Sequence, residues 1–269
     1  MKRLTMITAL TVLCGTILFA QNYKDGFYFA QDANYAANNQ KNQVVIEVKG
    51  GRIASVNWNI LSLNHGMQDL KSIAKAGTVP AAVTWASQAA AVEAHLISSQ
   101  STRNTNVAGG PSNARPVFDL ADKAVKGRAI AKGGFAKDGW FYAEDTEIDD
   151  HHSRNTVLVT IVNGTIVDTL WNGILEGMHP SVNKSKMITS RANGYPMNDD
   201  PVPPAGITRV RRDNRWDQQA DRVAAELVKT QNLASIKVRP DTYTDAISGV
   251  SIKIKHFVDI AGRALEGAR

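Results

Sequence analysis

The chain has 269 residues, of which 43% are hydrophobic and 21% charged, and 31 Lys and Arg against 25 Asp and Glu give a net charge of +6. This composition excludes an intrinsically disordered chain, and the scarcity of Gly and Pro excludes a collagen-like one. Its single cysteine excludes a disulfide framework and a multi-cysteine zinc or iron–sulfur site. So mild a positive charge, with only a short basic cluster at 209–212, gives no reason to expect nucleic acid as a partner.

The first twenty residues predict a secretory signal peptide. Two basic residues precede an apolar run at 4–20, which is slightly shorter than the roughly 20 apolar residues that a membrane span needs. We expect cleavage after Ala20, so that the mature protein is exported to the periplasm or the cell surface. A retained anchor and lipidation at Cys14 stay open as alternatives.

After this leader the chain is a tandem duplication. Four blocks of the first half recur in the same order in the second half. Solenoid repeats have periods of roughly 20–50 residues, so a duplication this long predicts two domains instead. We place the signal peptide at 1–20, a degenerate first domain at 21–128 and a second domain at 135–269. The matched blocks are 25–32 with 138–145, 44–59 with 157–172, 85–100 with 216–231, and 117–125 with 257–265.

Each copy predicts a strand hairpin followed by helices. Val44–Val48 and Val157–Ile161 are rich in β-branched residues, and a Gly-Gly or Asn-Gly pair follows each one closely, as a tight hairpin turn requires. Apolar residues three or four positions apart predict amphipathic helices at 85–96 and 216–227, and a further helix closes the second copy. The expected fold class is α+β, with two tandem domains that each pack a small antiparallel sheet against helices. Four tryptophans recur in both copies and are assigned to the cores: Trp58, Trp85, Trp171 and Trp216.

The two copies differ most just before their last helices. The second copy has Asp-Ala-Ile-Ser-Gly-Val-Ser at 245–251, whereas the first has Thr-Asn-Val-Ala-Gly-Gly-Pro at 105–111. The first glycine of the pattern persists, while the Asp and both Ser side chains are replaced. We infer one working site, in the second copy, and a first copy that retains only the scaffold.

The segment 245–251 resembles the flavinylation motif Asp-x-x-Ser-Gly-Ala-Thr of the extracytoplasmic FMN-binding domain family. That family includes the FMN-carrying subunits of the sodium-pumping NADH:quinone oxidoreductase and of the Rnf complex. The order of features in the second copy is also similar to the family: an Asp-Gly-aromatic strand, a hairpin, a Gly-Tyr-x-Met loop at 194–197, and a Trp-led helix ending in Gln. Val250 and Ser251 depart from the commoner Ala and Thr, although Ser251 keeps a hydroxyl.

The resemblance implies that FMN is attached through a phosphoester to the hydroxyl of Ser251 by a separate flavin transferase. A last helix beginning near Ser251 would favour the negative charge of the phosphate. Asp245 is expected to cap a turn or to be recognised by the transferase, and Tyr195 and Met197 are candidates for contact with the flavin ring. The full predicted cofactor-binding set is Ser251, Asp245, Ser248, Gly249, Val250, Gly194, Tyr195 and Met197.

The resemblance also implies an electron carrier and not an enzyme, with no catalytic residue. Its implied partners are a quinone- or NADH-linked membrane donor and a downstream acceptor or reductase. The alternative is a flavin-free secreted binding or structural protein that retains the fold. A serine hydrolase using Ser251 fits badly, because Gly-x-Ser-x-Gly is absent. No metal site is predicted: the pair at 151–152 is interpreted as solvated loop, and His256 as a surface histidine, with a base for Ser251 left open.

Overall fold

The structure is a computed structural model that describes residues 23–66, 68–147, 153–175, 188–189 and 216–269. The predicted signal peptide at 1–20, the histidine pair at 151–152, and the loop residues Gly194, Tyr195 and Met197 lie outside the described residues. Every helix in the described ranges is too short or too polar to cross a membrane. The same residues contain no group of three His, Cys, Asp or Glu side chains placed to hold a metal ion.

The first unit is a three-stranded antiparallel sheet with strand order β1-β2-β3 and helices on one face. Alternate residues of β2, such as Val44 and Ile46, are fully buried against the helices, as expected for a strand whose successive side chains point to opposite faces. A 3-10 turn at Leu63–His65 follows the sheet. The strands are β1 (Gly26–Gln31), β2 (Gln40–Lys49) and β3 (Arg52–Ser62), and the helices are α1 (Leu70–Ala76), α2 (Pro80–Ser99) and α3 (Arg115–Lys126).

The second unit repeats this arrangement and adds a two-residue strand at the far edge of its sheet. Its strands are β4 (Gly139–Glu144), β5 (Ser153–Val162), β6 (Thr165–Leu175) and β7 (Ile188–Thr189), and its helices are α4 (Trp216–Thr230) and α5 (Lys255–Glu266). A 3-10 turn at Leu233–Ser235 follows α4. The predicted α+β fold of two tandem sheet-and-helix units is therefore confirmed. The domain bounds at 21–128 and 135–269 stay predictions.

The hairpins of the two units are equivalent in detail. The register shifts between Glu47 and Val48 in the first unit and between Thr160 and Ile161 in the second, which are matching positions of the duplication. The carboxylate of Asp25 accepts hydrogen bonds from both turn residues of the β2–β3 hairpin, at 2.9 and 2.7 Å. The equivalent Asp in the second unit does the same for the β5–β6 turn, at 2.7 and 2.8 Å. The Asp of each Asp-Gly-aromatic segment is thus a structural residue.

A glutamine at the end of a helix joins helix to sheet in both units. Gln100 follows α2, and its side-chain amide exchanges two hydrogen bonds with the backbone of Ile53, at 2.8 and 2.9 Å. Gln231 follows α4 and makes the same pair of bonds with the backbone of Ile166, both at 2.8 Å. This glutamine is present in both copies, so it stabilises the scaffold and does not mark the working site.

The repeated tryptophans form equivalent pairs. Trp58 and Trp85 meet edge-to-face with ring centroids 5.2 Å apart, and Trp171 and Trp216 do so at 5.0 Å. Each strand tryptophan also donates its indole N–H to an asparagine side chain of the neighbouring strand, at 3.0 and 3.1 Å. Trp58 and Trp171 are buried, and their partners pack against the same cores, so the assignment to core packing is confirmed.

The two units contact each other through the sheet faces that the helices leave uncovered. Leucines of both units form a separate small core there, comprising Leu61, Leu63, Leu158 and Leu170. Beside it, the fully buried amide of Gln43 donates to the carboxylate of Asp168 at 2.8 Å. Its oxygen accepts the indole N–H of Trp140 and the hydroxyl of Thr160. The sheets therefore lie between the two sets of helices.

Candidate functional site

Ser251 lies at the surface of the second unit, in the loop that precedes α5. Its side chain is exposed, and its hydroxyl donates a hydrogen bond to Oε1 of Gln219 at 3.2 Å. The same oxygen accepts the backbone N–H of Ser251 at 2.7 Å. Gln219 is buried on α4, so a fixed side chain holds an accessible hydroxyl in place.

Gly249 has a backbone conformation that other residues rarely adopt, with φ of +76°. Arg222 of α4 lies directly over it, since Nη1 donates to the carbonyl oxygen of Gly249 at 3.0 Å. A Cβ at position 249 would come within 3.4 Å of the guanidinium. The glycine therefore allows both the turn and the close approach of a positive charge to the motif.

Arg222 is a site residue that the motif alone does not reveal. The duplication places it opposite Ala91 of the first unit, where Gly109 takes the same conformation, with φ of +75°, beneath the small alanine side chain. By contrast, Gln219 has an identical counterpart, Gln88. Comparison of the two copies shows that Arg222 is one of several α4 residues found only in the second unit, and its contact with Gly249 distinguishes it from the others.

Asp245 does not cap the turn of this loop, which was one of its two expected roles. Its exposed carboxylate accepts a hydrogen bond from Nη1 of Arg239 at 2.8 Å. The turn is capped instead by Thr244, whose hydroxyl accepts the backbone N–H of Ala246 at 3.1 Å. Since this carboxylate is at the surface, recognition by a transferase stays the prediction for its role.

The other two residues of the motif also lie in this loop. Ser248 is exposed, and Val250 packs part of its side chain against the core of the second unit. The loop thus brings together all five predicted residues in its range: Asp245, Ser248, Gly249, Val250 and Ser251.

Helix α5 begins further along the chain than expected. Its first residue is Lys255, four positions after Ser251, and no side chain caps its first turn. The reason is Ile254, which is fully buried and donates its backbone N–H to the carbonyl of Thr242 at 2.8 Å. The helix thus starts from an anchored core residue. The positive charge beside Gly249 therefore comes from Arg222 and not from the helix end.

His256 pairs with an acidic residue away from the motif. Its Nδ1 lies 3.0 Å from Oδ2 of Asp145, and about half of its side chain is exposed. Asp145 also lies 3.5 Å from Arg263. The interpretation as a surface histidine agrees with this geometry.

Comparison with protein-family models gave no match, and neither did comparison with curated proteins. Two solved structures are similar, both of them structural genomics targets. The solution NMR structure of a Clostridium thermocellum protein is 36% identical, with a TM-score of 0.36, and the match covers 49% of this chain and 92% of that chain. The crystal structure of a Clostridium perfringens protein is 22% identical, with a TM-score of 0.31, and the match covers 39% of this chain and 87% of that chain.

Proposed function

We propose that the second unit carries FMN, joined through its phosphate to the hydroxyl of Ser251, and that the protein is an extracytoplasmic electron carrier. One observation supports this most strongly. Every reactive group around the loop at 245–251 belongs to the second unit alone, whereas the scaffold around it occurs in both. The exposed hydroxyl of Ser251 and the cation of Arg222 beside Gly249 form this unit-specific set.

The groups present suit a phosphoester. The Ser251 oxygen would form a bond to phosphorus and lose its proton, so the donor must be an activated flavin nucleotide whose second phosphate group departs. Gly249 leaves space for a close approach, and Arg222 supplies positive charge that would stabilise the remaining negative charge of the phosphate. Gln219 holds both the hydroxyl and the backbone of Ser251 in position. When bound, the flavin supplies reversible electron uptake.

The proposed partners follow from this role. A flavin transferase attaches the cofactor, a quinone- or NADH-linked membrane donor reduces it, and a downstream acceptor or reductase oxidises it. Tyr195 and Met197 remain predicted ring contacts. The carrier turns over no substrate of its own and acts outside the cytoplasmic membrane, after export and cleavage behind Ala20.

Co-expression with a flavin transferase tests the proposal. We expect a yellow protein that keeps its colour after denaturation, with an intact mass increased by one FMN less water. Only one such group is expected, because Pro111 stands at the position of Ser251 in the first unit. Unlabelled protein from a strain whose transferase labels an established flavoprotein would favour the alternative, a flavin-free secreted binding or structural protein.

Arg222→Met should slow flavin attachment by about tenfold to a hundredfold, because a hydrogen bond to a charged group contributes about 1.5–3 kcal/mol. The partly exposed side chain can be replaced with little loss of stability. The measurement is the fraction of labelled chain against time, by mass spectrometry. Arg263→Met is the matched control, since Arg263 also donates to a backbone carbonyl, that of Glu144, at 2.8 Å. Equal rates for the two variants would remove Arg222 from the site.

A further inference from the structure

A cavity of about 530 Å³ lies between the two units, at a position that the motif does not involve. One wall is the loop between β1 and β2 of the first unit, and the other is formed by β6 and α4 of the second. The lining segment 167–170 of β6 is not paired by β7, which bonds only to Ile174 and Leu175. Pockets for small organic molecules have volumes of roughly 300–1,000 Å³, so this cavity is large enough for one.

The cavity contains a buried lysine without a close counter-ion. Lys41 of β2 is only 8% exposed, and its ammonium lies 5.9 Å from the centre of the Tyr35 ring. In the part of the chain that the structure describes, no carboxylate lies within the 4.0 Å of an ion pair with this ammonium. A buried charge is stable only when an opposite charge or a set of hydrogen bonds compensates it.

Asp168 also lines the cavity but is a weak counter-ion for Lys41. Its carboxylate lies among protein atoms and accepts a hydrogen bond from Gln43 at 2.8 Å. Burial raises the pKa of Asp168, while the charge of Lys41 lowers it to a smaller extent. The carboxylate is therefore less readily ionised than an exposed one.

Apolar side chains form the wall of the cavity beside Lys41, namely those of Val167, Leu170 and Val228. A cation beside an apolar surface is the combination expected of a site for an amphipathic anion.

This cavity is separate from the flavin motif. Gln219 and Arg222 are the residues of α4 that contact the motif, whereas the cavity is lined by other residues of the helix, among them Ala225 and Val228. No residue of the loop at 245–251 lines the cavity.

We propose that the cavity between the units binds a small monocarboxylic acid, whose carboxylate pairs with Lys41 and whose apolar body contacts Tyr35, Leu170 and Val228. A phosphate dianion suits the site less well, because the carboxylate of Asp221 lines the same cavity and repels a second negative charge, while Lys229, which also lines it, is paired with Glu226.

Titration of the protein with benzoate, followed by amide chemical shifts and by calorimetry, tests this proposal. We expect shifts concentrated at 33–35 and 167–170, no binding of the neutral analogue benzamide, and weaker binding of inorganic phosphate. Lys41→Met should lower the benzoate affinity at least tenfold. Lys49→Met is the matched control, because Lys49 lies on the same strand but is exposed at its other end.

Val228→Glu provides a second variant, since it places a negative charge on the apolar wall of the cavity and should weaken benzoate binding at least tenfold. The proposal is overturned if benzoate does not bind the unmodified protein, if phosphate binds as tightly, or if both variants bind benzoate like the unmodified protein. If Lys41→Met does not fold, the result for Val228→Glu decides.

Discussion

Ser251→Ala should abolish covalent flavin attachment while leaving the fold intact. The substitution removes the only oxygen at which the proposed phosphoester can form. Ser251 is exposed and its side chain makes one hydrogen bond, to Gln219, so the free energy of unfolding should fall by about 1 kcal/mol or less. Intact mass and the colour retained after denaturation measure the result, following co-expression with a flavin transferase.

Two further substitutions make this test specific. Ser251→Thr keeps a hydroxyl on the same backbone and should still be labelled. Ser248→Ala removes the other exposed serine of the loop and should also still be labelled. If Ser251→Ala kept the full mass increase while Ser248→Ala lost it, the attachment point would be Ser248.

Trp171→Ala should lower the free energy of unfolding by about 3–5 kcal/mol, as is typical when a buried aromatic side chain is truncated to alanine. Trp171 is 1% exposed, and its ring lies 5.0 Å from that of Trp216 and 5.3 Å from that of Phe257. Its loss leaves a cavity between β6, α4 and α5. It also leaves the side-chain oxygen of Asn155, which accepted its indole N–H, without that partner. Urea denaturation followed by far-UV circular dichroism measures the change.

Val83→Ala is a suitable control for this large effect. Val83 is 43% exposed on α2, so its truncation should change the free energy of unfolding by no more than about 0.5 kcal/mol. A loss below about 1 kcal/mol for Trp171→Ala would show that its surroundings collapse to fill the space, and that the ring cluster contributes little.

The fold was predictable from the sequence wherever a local pattern repeats. Alternating β-branched residues and turn pairs specify the hairpins, and the 3–4-residue spacing specifies α2 and α4, because these signals arise within one element. The short helix α1 was not predicted, because it has seven residues and only Leu70 and Ile73 are buried, so its apolar pattern is too short to identify a helix. The contact between the sheets was not predictable either. Lys41 and Gln43 occupy positions of β2 that a single sheet would leave in water.

The candidate site was also predictable only where its residues are close in sequence. The loop at 245–251 is continuous in sequence, so its residues could be named before its structure was known. Gln219 and Arg222 reach it from α4, and no pattern within the loop indicates their proximity. The start of α5 could not be placed because it depends on the burial of Ile254, which is a tertiary contact.

The packing of one sheet against the other makes the second unit depend on the first. Gln43 of the first unit bonds to Asp168, Trp140 and Thr160 of the second, and it does so through its side chain alone. Without the first unit, the leucines of the second would be exposed to solvent. The three polar side chains would also lose their hydrogen bonds to Gln43. The first unit therefore stabilises the second through this contact, independently of any reactive group in its own loops.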